Sequence, residues 1–167
     1  MTEKKKNAEQ IAGEILRLSR NMLLVNLRFL DAALNQLELR PVAASSLLTD
    51  GEHLCYRPEW VLRTFQTAKE IPVRDYLHVV MHCIFRHMYM SPSIDREYWD
   101  LACDIAAEYV ITGLGIKAAE APRQEEQKQY FKAIQHDLNH VTAEKLYAYL
   151  RQTAPNPMRL AQLQDIF

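Results

Sequence analysis

His78 and His82 stand four residues apart in Leu77-His78-Val79-Val80-Met81-His82. On a helix this spacing puts two side chains on one side, one turn apart, so both imidazoles can reach a single ion. Zinc peptidases use the pair within H-E-x-x-H, where the glutamate after the first histidine is the general base. Here that position is Val79. The chain has the spacing of a zinc-binding helix without the residue that would take a proton from water.

Two histidines make an incomplete site, because a catalytic zinc takes three protein ligands and keeps one open position. The best third candidate is Asp104, 22 residues after His82. The interval accommodates the end of one helix, a turn and the start of an antiparallel helix, which would return Asp104 to the histidine turn. A plainer reading competes. Asp100, Asp104 and Glu108 recur every four residues opposite the apolar stripe of their helix, as a solvated acidic face does. Cys83 and His87 are weaker ligand candidates, since His87 lies five residues past His82 and is rotated away from it. We read His87 as a helix-end residue, and His53, His136 and His140 as structural or exposed.

The rest of the chain must position these groups. Its 167 residues suit one domain, 1–167, with a flexible tail at 1–6 and the candidate start of a linker at 155–167. A domain of this size buries roughly 70% of its unfolded surface and needs no staple. Cys55, Cys83 and Cys103 include no C-x-x-C pair and read as reduced thiols in a cytoplasmic protein. A net charge of -1 offers no field to attract nucleic acid, and Lys4-Lys5-Lys6 reads as a solvated tail. No apolar run is long enough to span a bilayer, and the first residues do not resemble a signal peptide.

Periodicity predicts a long helix from Asn7 to about Gln36, with Ile11, Ile15, Leu18, Met22, Leu23, Leu27 and Leu30 toward the core. Asp50-Gly51, between Leu47-Leu48 and His53-Leu54-Cys55-Tyr56, predicts a hairpin. Pro58 opens a helix to about Lys69, and Pro72 opens another to about Met90 with a stripe of Leu77, Val80, Met81, Ile84, Phe85 and Met88. The histidines fall at the edge of that stripe. A further helix from about Asp95 to Thr112 ends at Gly113 or Gly115. Residues 118–128 read as an exposed loop. Helical signals return at 129–134 and after Thr142, a candidate N-cap, until Pro155-Asn156-Pro157.

In combination, these pieces resemble the metallopeptidase domain that precedes a von Willebrand A-like domain in many bacterial proteins. Thr49-Asp50-Gly51 with Tyr56 and Pro58 resembles that family's hairpin and following helix. His78 to His87 resembles its H-E-x-x-H-x-x-x-x-H segment, and Trp99-Asp100-Leu101-Ala102-Cys103-Asp104 its later W-x-x-A-x-D motif. The likeness spans roughly residues 10–150. It implies a zincin-like site in which His78, His82 and Asp104 bind Zn2+. It also implies partners: the adjoining A-like domain, or an AAA+ ATPase of the MoxR type. Val79 departs from the family's glutamate, and Glu108 stands where the family more often has asparagine.

The expected fold is therefore mainly α with a small β-hairpin. Three functions compete. One is a metal-binding domain with a degenerate active site, serving as a scaffold or interaction module. Another is an active metal-dependent hydrolase whose base has moved to Glu108 or Asp100. The third is a metal-free structural interaction module.

Overall fold

A computed structural model describes residues 3–154 and 156–167, with Lys4 by its backbone alone. Met1, Thr2 and Pro155, which belong to the expected tail and helix stop, lie outside the described residues. The chain is mainly helical with one small sheet, as its composition and periodicity predict. It divides into two compact units, residues 1–84 with 116–121, and residues 85–115 with 122–167.

In the first unit, helix α1 (Glu3–Asn26) packs against α3 (Pro58–Thr67) and α4 (Glu70–Ile84). α1 starts at Glu3, inside the segment expected to be a tail. The long predicted helix breaks at Leu27, which leaves helical geometry (φ -126°, ψ 54°). A 3-10 turn (Arg28–Leu30) and the short α2 (Asp31–Gln36) follow. The buried side of α1 is Ala12, Ile15, Leu16, Ser19 and Leu23, continued by Leu27, whereas Ile11, Leu18 and Met22 are exposed. A leucine-rich helix offers more than one apolar stripe, and spacing alone does not say which one the rest of the chain covers.

The sheet has the order β1-β3-β2. β2 (Leu48–Thr49) and β3 (His53–Tyr56) form the predicted hairpin, with Leu48 opposite Cys55. β1 (Glu38–Pro41) is an addition: it runs parallel to β3, with Leu39 opposite Leu54. Pro41 is tolerated because it lies on an edge strand, where no ladder donor is required of it. The turn is organised by Asp50. Its Oδ1 accepts from the backbone amides of Glu52 at 3.0 Å and His53 at 2.7 Å, and Oδ2 meets His53 Nδ1 at 2.9 Å. His53 thus has a local partner, and its role is structural.

In the second unit, α5 (Arg96–Leu114) is the central helix and packs against α7 (Ala143–Thr153). Trp99, Ala102, Cys103, Ile105, Ala106, Phe131, Ile134, Leu146 and Leu150 share one core. Leu160 of α8 (Pro157–Gln164) joins it, so the segment expected to begin a linker is part of this unit. Thr142 caps α7 as predicted, its Oγ1 accepting from the Lys145 amide. Residues 118–128 are not an exposed loop. Ala119 and Ala121 are buried in the first unit, after a 3-10 turn (Lys117–Ala119). α6 (Gln124–Asp137) then starts earlier than expected, with Gln124 and Gln127 buried. The Gln127 amide donates to the Ile166 carbonyl at 3.0 Å, a long-range bond that a polar stretch of sequence does not announce.

Gly115 ends α5 in the left-handed region at φ 62°, and an added Cβ would meet nothing within 4 Å. Gly115→Ala should therefore cost about 1 kcal/mol through backbone strain alone. Gly113, equally open but inside the helix, should gain about as much on Gly113→Ala. Urea unfolding of the two variants tests the opposite signs. Asp50 generates a pH dependence. The His53 and Glu52 amides, chiefly, hold its carboxyl below the ordinary 3.8, so its contribution is present above that pH and lost as pH falls. Stability followed between about pH 5 and pH 2 should fall less steeply in Asp50→Asn than in the unchanged protein.

Candidate metal centre

α4 begins with Glu70 and carries Pro72 in its first turn, where a missing amide does no harm. Its buried side is Val73, Tyr76, Leu77, Val80 and Met81, together with Arg74 and Val79. Two side chains bolt this helix to distant backbone of the same unit. The Tyr76 hydroxyl donates to the Leu34 carbonyl at 2.9 Å, and the fully buried Arg74 donates Nη1 to the Ala119 carbonyl at 2.9 Å. Burial also pushes the Tyr76 phenol above its ordinary pKa, which keeps it a donor. These anchors fix α4 in rotation as well as in place.

With α4 so held, His78 and His82 lie half-buried at the border of its apolar side. Their rings stand 4.6 Å apart between centroids, tilted by 40°. The two Nε2 atoms approach to 2.8 Å, so the imidazoles converge as the spacing predicts. Ligation by both at about 2.0–2.1 Å with a tetrahedral angle would set these nitrogens about 3.3 Å apart, an adjustment of roughly half an ångström. The pair fits a metal ion on that observation.

Val79, the residue after the first histidine, is buried, at 6% exposed. The apolar stripe of α4 ends sooner than predicted: Ile84, Phe85 and Met88 are exposed. The helix stops at Ile84, and Arg86 adopts φ 58°, which breaks the periodicity those residues were assigned by. Cys83 is half-buried, its Sγ 3.9 Å from Thr49 Oγ1, and burial raises its thiol pKa.

The other candidates belong to the second unit. Asp104 is half-buried on α5, whereas Asp100 is exposed and pairs with Arg96 at 3.4 Å. Glu108 is fully buried and paired with Arg123 at 3.1 Å. The expected solvated acidic face is therefore not one face at all: it grades from open to closed along one helix. Arg123, 15 residues away in sequence, supplies the charge that periodicity could not reveal. His87 is buried, its ring edge-on to Trp99 at 6.4 Å, and its carbonyl accepts from Trp99 Nε1 at 2.9 Å. Trp99 thus ties the segment after α4 to α5, and His87 is structural. His136 is exposed beside Asp137 at 3.0 Å, and His140 is exposed. Cys103 is buried next to Asp104, and its thiol is pushed far above the ordinary range by burial and by the Asp104 charge. All three cysteines are free. No helix among the described residues is long and apolar enough to cross a membrane.

No curated protein and no solved structure matches this chain. Residues 19–161 match the family described as "Putative metallopeptidase domain". The family and the converging histidines together suggest a metal ion. The match covers most of the chain, and it includes α4, α5 and the loop between them; the chain belongs to this metallopeptidase-domain family.

Proposed function

We propose that this domain binds one zinc ion through His78, His82 and Asp104 and lacks peptidase activity, serving as a scaffold or recognition module. The convergence of the two imidazoles at 2.8 Å carries the reading. Family membership supports it, as does a donor set of two imidazoles and one carboxylate, which is a known zinc combination. When bound, the ion would polarise a water or carbonyl oxygen in its open position.

The protein's own groups limit the chemistry open to such a centre. Peptide hydrolysis needs a base to deprotonate the attacking water and an acid to protonate the departing amine. A positioned group of this kind contributes about 10²–10⁴-fold. Val79 can neither accept nor donate a proton, and it is buried. Glu108 is the alternative base, but its carboxylate is fully buried and already neutralised by Arg123. It would have to give up that ion pair to take a proton from water. Asp100 faces solvent beside Arg96. The relocated-base hydrolase is accordingly the weaker reading. Partners in keeping with the family resemblance are an A-like domain or a MoxR-type AAA+ ATPase, and the cytoplasm is the proposed setting.

Protein prepared without chelator or metal-affinity resin should take up one zinc per chain in a calorimetric titration. His82→Ala and Asp104→Ala should each weaken uptake roughly 100-fold or more, while Asp100→Asn should leave it unchanged. Uptake insensitive to Asp104→Ala would remove the carboxylate from the ligand set. Zinc-loaded protein incubated with a mixed peptide library should cleave nothing. Chelator-sensitive cleavage that disappears in Glu108→Gln would instead establish the relocated base.

A further inference from the structure

Between α1 and the sheet of the first unit lies a groove of about 680 Å³, a volume within the range of small-molecule sites. From α1 come Lys6, Glu9, Gly13 and Arg17, spaced by 3, 4 and 4 residues and so on one face of the helix. From the strands come Leu39, Pro41 and Tyr56. Tyr56 is 4% exposed, yet its hydroxyl makes no hydrogen bond to a described residue. A buried tyrosine hydroxyl ordinarily finds a partner, because leaving it without one is costly. Burial and the Glu9 charge raise its pKa against the pull of Arg17, so it stays a proton donor. A Cβ placed on Gly13 would lie 3.3 Å from Tyr56 Oη, 3.6 Å from Arg17 Nη1 and 3.9 Å from Arg17 Nη2. One hydroxyl and both ends of a guanidinium fork therefore gather over bare backbone. Such a fork fits the two oxygens of a carboxylate.

We propose that this groove binds an apolar amino-carboxylate zwitterion. Arg17 and the Tyr56 hydroxyl hold its carboxylate, Glu9 faces its ammonium, and Leu39 and Pro41 take its apolar side chain. The charges select this class. Arg17 and Tyr56 both donate, so they call for an anion. Glu9 stands one turn from Gly13, about 6 Å along α1, and its charge is felt at the Tyr56 hydroxyl. A phosphate dianion would be repelled by that carboxylate, whereas a ligand carrying its own ammonium finds a partner in it. Lys6, about 10 Å along the helix from Gly13, is further from the carboxylate position. A free amino acid and a short peptide share this chemistry, since each carries an amine and an α-carboxylate. Every residue that lines the groove belongs to the first unit, and none is a candidate metal ligand. Occupancy of the groove is accordingly independent of zinc.

Calorimetric titration of the whole chain with leucine and with leucyl-leucine tests this, one arm for each source. At least one should bind, with the same Kd in the presence and absence of zinc. The tighter of the two identifies the source as amino acid or peptide. Its C-terminal amide, which lacks the carboxylate, should bind roughly 10-fold more weakly or worse, and Arg17→Ala should weaken the parent ligand as much. Tyr56→Phe should weaken binding about 5-fold and leave the melting temperature unchanged, because the hydroxyl holds nothing in the protein. Glu9→Gln should weaken the free-amine ligand but not its N-acetyl form. Failure of both ligands to bind up to about 20 mM would overturn the proposal, as would undiminished binding in Arg17→Ala. Inorganic phosphate binding more tightly than either ligand would overturn it too. So would a Tyr56→Phe variant that melts earlier and binds as before, which would give the hydroxyl a structural role.

Discussion

The histidine pair depends on one constraint, the rotation of α4 about its own axis. Turning a helix by one residue position moves each side chain by about 100°. A small slip would point His78 and His82 into solvent or into the core. Two kinds of force hold the setting. Val73, Tyr76, Leu77, Val80 and Met81 fix the apolar side inward, each such side chain contributing roughly 1.5–3 kcal/mol on burial. The bonds from Tyr76 to Leu34 and from Arg74 to Ala119 add direction, which apolar contact lacks. Breaking either would cost a buried hydrogen bond with a long-range partner, so the helix resists turning.

The same rotation explains why Val79 matters. With the histidines at the border, the next residue in sequence falls on the packed side. An ionised carboxylate at that place would be stable only if something held it, such as a nearby cation or donor. Valine needs no such partner and stabilises the helix by burial. A valine at this position therefore favours the fold. Glu108 presents the reverse case: a carboxylate has been kept in the interior, and Arg123 is the partner that makes it tolerable.

Much of this was legible in the sequence, for identifiable reasons. The helix breaks at Pro58 and Gly115, the Asp50-Gly51 hairpin and the Thr142 cap arise from local stereochemistry that sequence records directly. The histidine pair is a four-residue pattern, and its convergence needs only helical geometry. What escaped depends on distant partners. β1 is visible only through its pairing with β3, because Glu38-Leu39-Arg40-Pro41 has no strong strand signal of its own. The burial of Glu108, Gln127 and Arg74 rests on Arg123, Ile166 and Ala119, none near in sequence. Of the apolar residues that periodicity assigns to the core of α1, Ile15, Leu23 and Leu27 are buried, whereas Ile11, Leu18 and Met22 are exposed. Periodicity detects stripes and is silent on which of two a protein covers.

The central claim is a zinc site made of two imidazoles and a carboxylate. X-ray absorption at the zinc edge of the loaded protein reads that set of donors directly. The account predicts only nitrogen and oxygen scatterers at about 2.0–2.2 Å, with the outer-shell pattern of two histidine rings. A sulfur scatterer at about 2.3 Å would show that a cysteine such as Cys83 has entered the site. A shell with fewer than two imidazoles would contradict the claim outright.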